Sequence, residues 1–223
     1  MRITFFTLFL FVTIGSFAQT KAISIRFIGN CGLFLTDGTS NIYIDFPYKS
    51  GAHHYSEYNL SELDSVKEKP IFIYTHKHSD HFSGKLVKRL IRKLDGQLFT
   101  PKNAAELKQL SQEIPDFSIE TFKTSHRFSF NHYSYLITWH GKKFFFSGDT
   151  ENAETIASLS NLDIAFIPVW LILDANEKGV KIQPLTNLIA VYHIGPRDQI
   201  KFSEPNPKLK LLNQQGEVLR IEY

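Results

Sequence analysis

Cysteine is almost absent from this chain: Cys31 is the only one in 223 residues. A disulfide framework is therefore excluded, and so are a cysteine-rich structural zinc site and an iron–sulfur cluster, both of which need several thiolates. A buried free thiol is the default expectation for Cys31. Charge of one sign is also lacking, since 25 Lys and Arg stand against 22 Asp and Glu, a formal +3. No basic tail or long cationic run points to nucleic acid as a partner. The most basic stretch, 85–93, has apolar residues at helical spacing, so its charges read as the solvated face of an amphipathic helix. Internal repeats and low-complexity tracts are missing. The one strongly apolar run, at the N-terminus, falls short of the ~20 residues that span a bilayer comfortably.

That N-terminal run has a processing pattern instead. Met1-Arg2 gives a positive start, Phe5 to Ile14 is mostly apolar, and Ser16-Phe17-Ala18 forms a small-residue cleavage site before Gln19. Residues 1–18 are expected to be a secretory signal peptide, with export to the periplasm or secretion and no stable membrane anchor after cleavage. No cysteine follows the cleavage point, which weighs against a lipoprotein. Residues 19–223 remain, 205 in all with a formal charge of +2 because the leader removes one arginine. They are enough for a single domain with a sizeable core.

The most informative segment is Thr75-His-Lys-His-Ser-Asp-His81, which puts His76, His78, Asp80 and His81 within six positions. It follows an apolar run, Pro70 to Thr75, rich in β-formers and short enough to be a buried strand. Alternating spacing sends His76 and His78 to one side, while Asp80 and His81 lie beyond them. Imidazole and carboxylate donors on a loop with a rigid base suit zinc, iron or manganese. Nine histidines in the whole chain make three in six positions a poor fit to chance.

His-x-His-x-Asp-His after an apolar strand resembles the hallmark of the metallo-β-lactamase superfamily, and the superfamily's later motifs follow in order. His126 ends Phe122-Lys-Thr-Ser-His126. Asp149 lies in Gly148-Asp-Thr150 after Lys143-Phe-Phe-Phe146, and His193 closes Asn187-Leu-Ile-Ala-Val-Tyr-His193. The opening, Arg26-Phe-Ile-Gly-Asn-Cys-Gly-Leu-Phe-Leu35 and Asn41-Ile-Tyr-Ile-Asp45, is similar to the paired strands that begin that fold. The resemblance implies that His76, His78 and His126 hold one metal, that Asp80, His81 and His193 hold a second, and that Asp149 bridges them. Two divalent ions are implied, zinc first, with manganese or iron accepting the same donors. Asp80 is the implied catalytic residue, ligating one metal and orienting or accepting the proton of a metal-activated water.

Other residues allow two readings. His132 rivals His126 for the first metal site, or serves as a supporting donor, a substrate contact or a plain polar residue. His53 and His54 lie in the segment 46–59, which is either a solvated loop or an overhang shaping a pocket with Tyr48, Tyr55 and Tyr58. Substrate-binding candidates are His132, His54 and Trp170, the last equally readable as a core tryptophan. His140, in a hairpin turn, is expected to be exposed and inert.

Strands are expected near 22–28, 31–36, 40–45, 70–75, 97–99, 117–123, 133–139, 143–147, 162–168, 187–192 and 216–223. Helices are expected near 84–94, 102–113, after Asp149, and near 175–182. This order fits an α/β fold, the four-layer αββα sandwich, with donors at strand ends on its open edge. The expected activity is hydrolysis of an ester, lactone or phosphodiester of a small molecule by a metal-bound hydroxide. Asp149 weighs against a β-lactamase, whose relatives generally carry cysteine or serine there. The Gly-Asn-Cys-Gly opening, the Gly-Asp-Thr and the short C-terminus look more similar to the L-ascorbate-6-phosphate lactonase-like and phospholipase-D-like branch. An iron-dependent redox enzyme and a non-catalytic metal-binding module are the alternatives.

Overall fold

The computed structural model describes residues 20–200 and 206–223; the expected leader, 1–18, lies outside them. β1 (Ala22–Gly29), β2 (Gly32–Thr36) and β3 (Asn41–Ile44) form an antiparallel meander. A short helix, α1 (Ser61–Asp64), precedes β4 (Ile71–Ile73), α2 (Gly84–Leu94) and β5 (Gln97–Phe99), and β3, β4 and β5 run parallel. After α3 (Leu110–Glu113) the plan recurs. β6 (Phe117–His126), β7 (Ser129–Trp139) and β8 (Lys142–Phe146) are antiparallel, followed by α4 (Ala153–Ala157), β9 (Leu162–Pro168), α5 (Val169–Glu177), β10 (Thr186–Tyr192) and β11 (Leu209–Leu211). β8 to β11 are parallel, and β12 (Val218–Glu222) returns to pair with β1. Two six-stranded sheets result, in the orders β12-β1-β2-β3-β4-β5 and β11-β10-β9-β8-β7-β6.

Period-two alternation on strands buried on both faces makes the layers. Ile42, Ile44, Ile71 and Ile73 face the second sheet and meet Ile137, Phe144, Phe146, Ile164 and Phe166 in the central core. The intervening Tyr43 and Phe72 face outward and pack under Val87, Leu90 and Leu94 of α2. Phe145, Ala165 and Ile167 turn the other way, toward Ile156 of α4 and Leu171 and Ala175 of α5. Three apolar seams between four layers give the αββα sandwich.

Three expectations need correction. The helix expected over 102–113 is a 3-10 run, Pro101–Gln109, leading into α3. Pro101 opens it and Thr100 and Asn103 cap it reciprocally, but Asn103 leaves helical geometry at φ −123, ψ 28 and splits the segment. The helix expected near 175–182 is α5, beginning at Val169 and ending before Gly179 at φ +70. Pro168 has no N–H for the next rung of the sheet, so the apolar run 167–173 changes from strand to helix and carries Trp170 on the first turn of α5. His140 is not inert: its Nε2 lies 3.0 Å from Asp37 Oδ2, its Nδ1 3.4 Å from Asp116 Oδ2, and its ring stacks on Tyr223 at 4.0 Å. The distant Asp37 and the C-terminal Tyr223 are what a reading of the turn alone leaves out.

Phe146 is fully buried in the central seam and stacks on Phe166 with ring centroids 5.0 Å apart. Phe146→Ala should lower unfolding free energy by about 3–5 kcal/mol, read as a lower denaturation midpoint at unchanged slope; a loss under 1 kcal/mol would contradict this packing.

Candidate metal centre

All seven sequence-predicted donors meet at one edge of the sandwich, because each sits where a strand ends. His76, His78, Asp80 and His81 follow β4, Asp149 follows β8, His193 follows β10, and His126 is the last residue of β6. The β6–β7 register slips between Thr124 and His126, and this bulge re-aims His126 into the group. His76, His78 and His126 form one cluster, with His78 Nδ1 3.2 Å from His126 Nε2. Asp149 Oδ1 lies 3.1 Å from His81 Nε2. Its Oδ2 lies 3.1 Å from His193 Nε2 and 3.8 and 3.7 Å from Nε2 of His76 and His126. Asp80 Oδ2 is 3.3 Å from His193 Nε2 and 3.7 Å from His81 Nε2.

The outer hydrogen bonds fix which imidazole nitrogen faces inward. Thr75 Oγ1 donates to Asp45 Oδ2 and so accepts from His76 Nδ1 at 3.1 Å. His81 Nδ1 donates to Asp45 Oδ2 at 2.9 Å, and His78 Nε2 donates to the Phe128 carbonyl at 3.3 Å. The inward nitrogens, Nε2 of His76, Nδ1 of His78 and Nε2 of His81, are left as lone-pair donors. Nε2 of His76, His81 and His193 are buried without a hydrogen-bond partner. Neutral nitrogens and carboxylate oxygens 3.1–3.8 Å apart, turned toward common points, are the arrangement that divalent cations organise. Burial pushes His76 well below its usual range. Burial would raise Asp149, but positive charge on the His193 and His81 imidazoles, which become lone-pair donors when a cation takes over that charge, holds its carboxyl well below the usual range.

His132 joins neither cluster. It is buried behind Asp149, where its Nε2 accepts the Asp149 N–H at 3.0 Å and its Nδ1 donates to Thr124 Oγ1 at 2.7 Å. Burial lowers it to about 3, which keeps it neutral in this bridging role. Gly148 is required beside it: φ is +59, and a Cβ there would lie 2.6 Å from His132 Nε2 and 2.8 Å from Thr75 Cβ.

A cleft of about 360 Å³ opens over the donors, bordered by His53, Tyr55, Arg127, Phe128, Glu151 and Trp170. Tyr55 and Trp170 meet the His193 ring edge-on at 4.1 and 4.9 Å. Burial, with Asp149 and Asp80 nearby, raises the Tyr55 phenol to about 12, so it faces the cleft as a neutral donor. His54 is exposed and off the cleft, whereas His53 Nε2 is 3.1 Å from Ser79 Oγ and 3.9 Å from Asp80 Oδ1. Tyr48 and Tyr58 belong to the core beneath α2 and do not line the cleft. Sequence reasoning missed Asp45, Arg127, Asn30 and Cys31. Asn30 Nδ2 donates to the Asp80 carbonyl while its own carbonyl accepts the His193 N–H, tying the two loops together. The available hint for Asp45 was a carboxylate at the end of a buried strand.

Asp45 orients His81 and raises its basicity as a ligand. Asp45→Asn should weaken zinc binding at the His81 site about 10–100-fold, measured by chelator competition; unchanged affinity at both sites would exclude that role.

A sequence profile described as "Beta-lactamase superfamily domain" matches residues 24–186, a span that holds six of the seven donors and stops short of His193. No curated protein matches the chain. Igni18, a metallo hydrolase from the hyperthermophilic archaeon Ignicoccus hospitalis KIN4/I, superposes with a TM-score of 0.63 at 16% identity, over 91% of this chain and 99% of that one. The metallo-β-lactamase fold protein YhfI from Bacillus subtilis gives 0.60 at 15%, over 90% and 99%. CmlA, a diiron β-hydroxylase from Streptomyces venezuelae, gives 0.51 at 12%, over 80% of this chain and 46% of its own. At these identities the likeness is one of fold. With the profile spanning well over half of its length and two sheets sandwiched between helices, the chain belongs to the β-lactamase superfamily domain family and has the metallo-β-lactamase fold.

Proposed function

We propose that the chain is an exported di-metal hydrolase that cleaves an ester, lactone or phosphodiester of a small molecule. The observation that carries this reading is Asp149, whose Oδ1 faces His81 while its Oδ2 faces His193, His76 and His126. One carboxylate reaching both clusters suits a ligand shared by two ions. His76, His78 and His126 would hold one ion, and Asp80, His81 and His193 the other. The chemistry that two divalent ions would supply there is Lewis acidity toward a carbonyl or phosphoryl oxygen and a lowered pKa of a nearby water. Zinc is the first expectation for this donor set, with manganese and iron compatible.

The protein's own groups do the rest. Asp80 borders the cleft and is placed to orient the water and accept its proton. Arg127 offers positive charge to an anionic substrate group, Tyr55 a neutral O–H, and Trp170 and Phe128 apolar walls, the mixture that small-molecule sites use. An aspartate at 149 favours this chemistry over β-lactam cleavage. A second reading, iron-dependent oxidation, draws on the fold shared with the diiron CmlA and on donors that iron accepts.

Elemental analysis of the purified protein, paired with bis-p-nitrophenyl phosphate, a simple lactone and nitrocefin as substrates, tests this reading. The expected outcome is two equivalents of zinc or manganese per chain with phosphodiester or lactone turnover, reduced at least about 10²-fold by Asp80→Ala. Full turnover in that variant would sink the role of Asp80, iron without hydrolysis would select the redox reading, and absence of metal would remove the centre. Export predicts that N-terminal sequencing of the processed protein starts at Gln19; a chain retaining Met1 after passage through a secreting host would count against it.

A further inference from the structure

We infer that Cys31 is an additional ligand of the metal centre, a thiolate that binds the ion held by His81, Asp149 and His193 from the core side; this rests on the metal-dependent reading above. Cys31 occupies the turn between β1 and β2 and is fully buried. Its Sγ lies 3.9 Å from Asp149 Oδ1. Cys31, His81, Asp149 and His193 each present one donor atom, and the four lie within 4.8 Å of one another. They come from four separate places in the chain: the β1–β2 turn and the segments after β4, β8 and β10.

A lone buried thiol would ordinarily be core filling. The neighbouring imidazoles argue otherwise. Nε2 of His81 and of His193 are both buried, both without a hydrogen-bond partner, and both 3.1 Å from an Asp149 oxygen. Around a zinc ion with bonds of about 2.0 Å to nitrogen or oxygen and 2.3 Å to sulfur, and with five or more ligands so that Asp80 stays among them, donor separations run from about 2.8 to 3.3 Å and, for sulfur to oxygen, from about 3.0 to 3.5 Å. The observed 3.1 Å and 3.9 Å are within a few tenths of an ångström of those values. Asp80 borders the cleft and Cys31 does not, so sulfur approaches from beneath and leaves the substrate side open. A soft thiolate on this ion favours zinc over manganese or magnesium, and binding deprotonates the sulfur outright.

Because Cys31 is the only cysteine in the chain, any thiolate-to-metal transition must come from it. The full chain, stripped of metal and reconstituted with cobalt(II), should show an intense near-ultraviolet sulfur-to-cobalt charge-transfer band beside weaker visible d–d bands. Cys31→Ser should lose the charge-transfer band, keep the visible bands, and bind zinc at least about tenfold more weakly. Cys31→Ala, compared by circular dichroism, separates loss of ligation from loss of fold. Visible bands without the charge-transfer band in the unmutated chain would overturn the assignment of Cys31 and leave the di-metal reading intact. No cobalt uptake at all would overturn both.

Discussion

Two carboxylates and five imidazoles converge where two apolar sheets meet, and three of the inward nitrogens have no hydrogen-bond partner in the fold. Nε2 of His76, His81 and His193 are sealed from water with no hydrogen-bond donor directed at them. Each such atom destabilises the fold by about 1–3 kcal/mol while it stays unpaired. A cation gathers several lone pairs around one point, and a cation-binding role fits the surroundings of these donors. It explains why the outer nitrogens of His76, His78 and His81 are each tied to a protein oxygen. It also explains why His132, whose two nitrogens are engaged by Thr124 and the Asp149 N–H, stands outside the clusters.

Most donors were legible from sequence because they follow runs whose burial is written locally; His126 ends a largely exposed strand and was legible only through the resemblance to the superfamily's motif order. A five- or six-residue apolar stretch followed by histidine or aspartate states both the strand and its terminus. What was not legible depends on contacts far along the chain. Asp45 is 36 positions from His81, and Cys31 is 118 from Asp149; neither pairing leaves a local pattern. Composition even argued against a thiolate, since one cysteine cannot make a cysteine-rich site. His53 and His54 are adjacent, both with positive φ, and only the path of the turn decides that His53 faces Asp80. Trp170 fell between the expected strand at 162–168 and the expected helix at 175–182, because seven apolar residues in a row have no period to read; Pro168 sets the boundary.

Some of the backbone strain lies in the same places. Asn30, Asp45 and His193 adopt φ of +49, +47 and +57, a region that disfavours side chains by about 1–3 kcal/mol each. They are held there by Asn30 bonding the Asp80 and His193 loops, and by the Asp45 carboxylate accepting from Thr75 and His81. These connections tie the donor loops to one another, which would lower the ordering entropy that binding an ion costs.

The β6–β7 hairpin behaves as a lever with its two ends in different hands. Its tip residue Phe128 is 84% exposed at the lip of the cleft, while its backbone carbonyl is the acceptor that sets the orientation of His78. A molecule leaning on the ring therefore pushes on the bond that aims a ligand. Variation at this lip, in sequence or in bound cargo, would reach the orientation of His78 through the same residue.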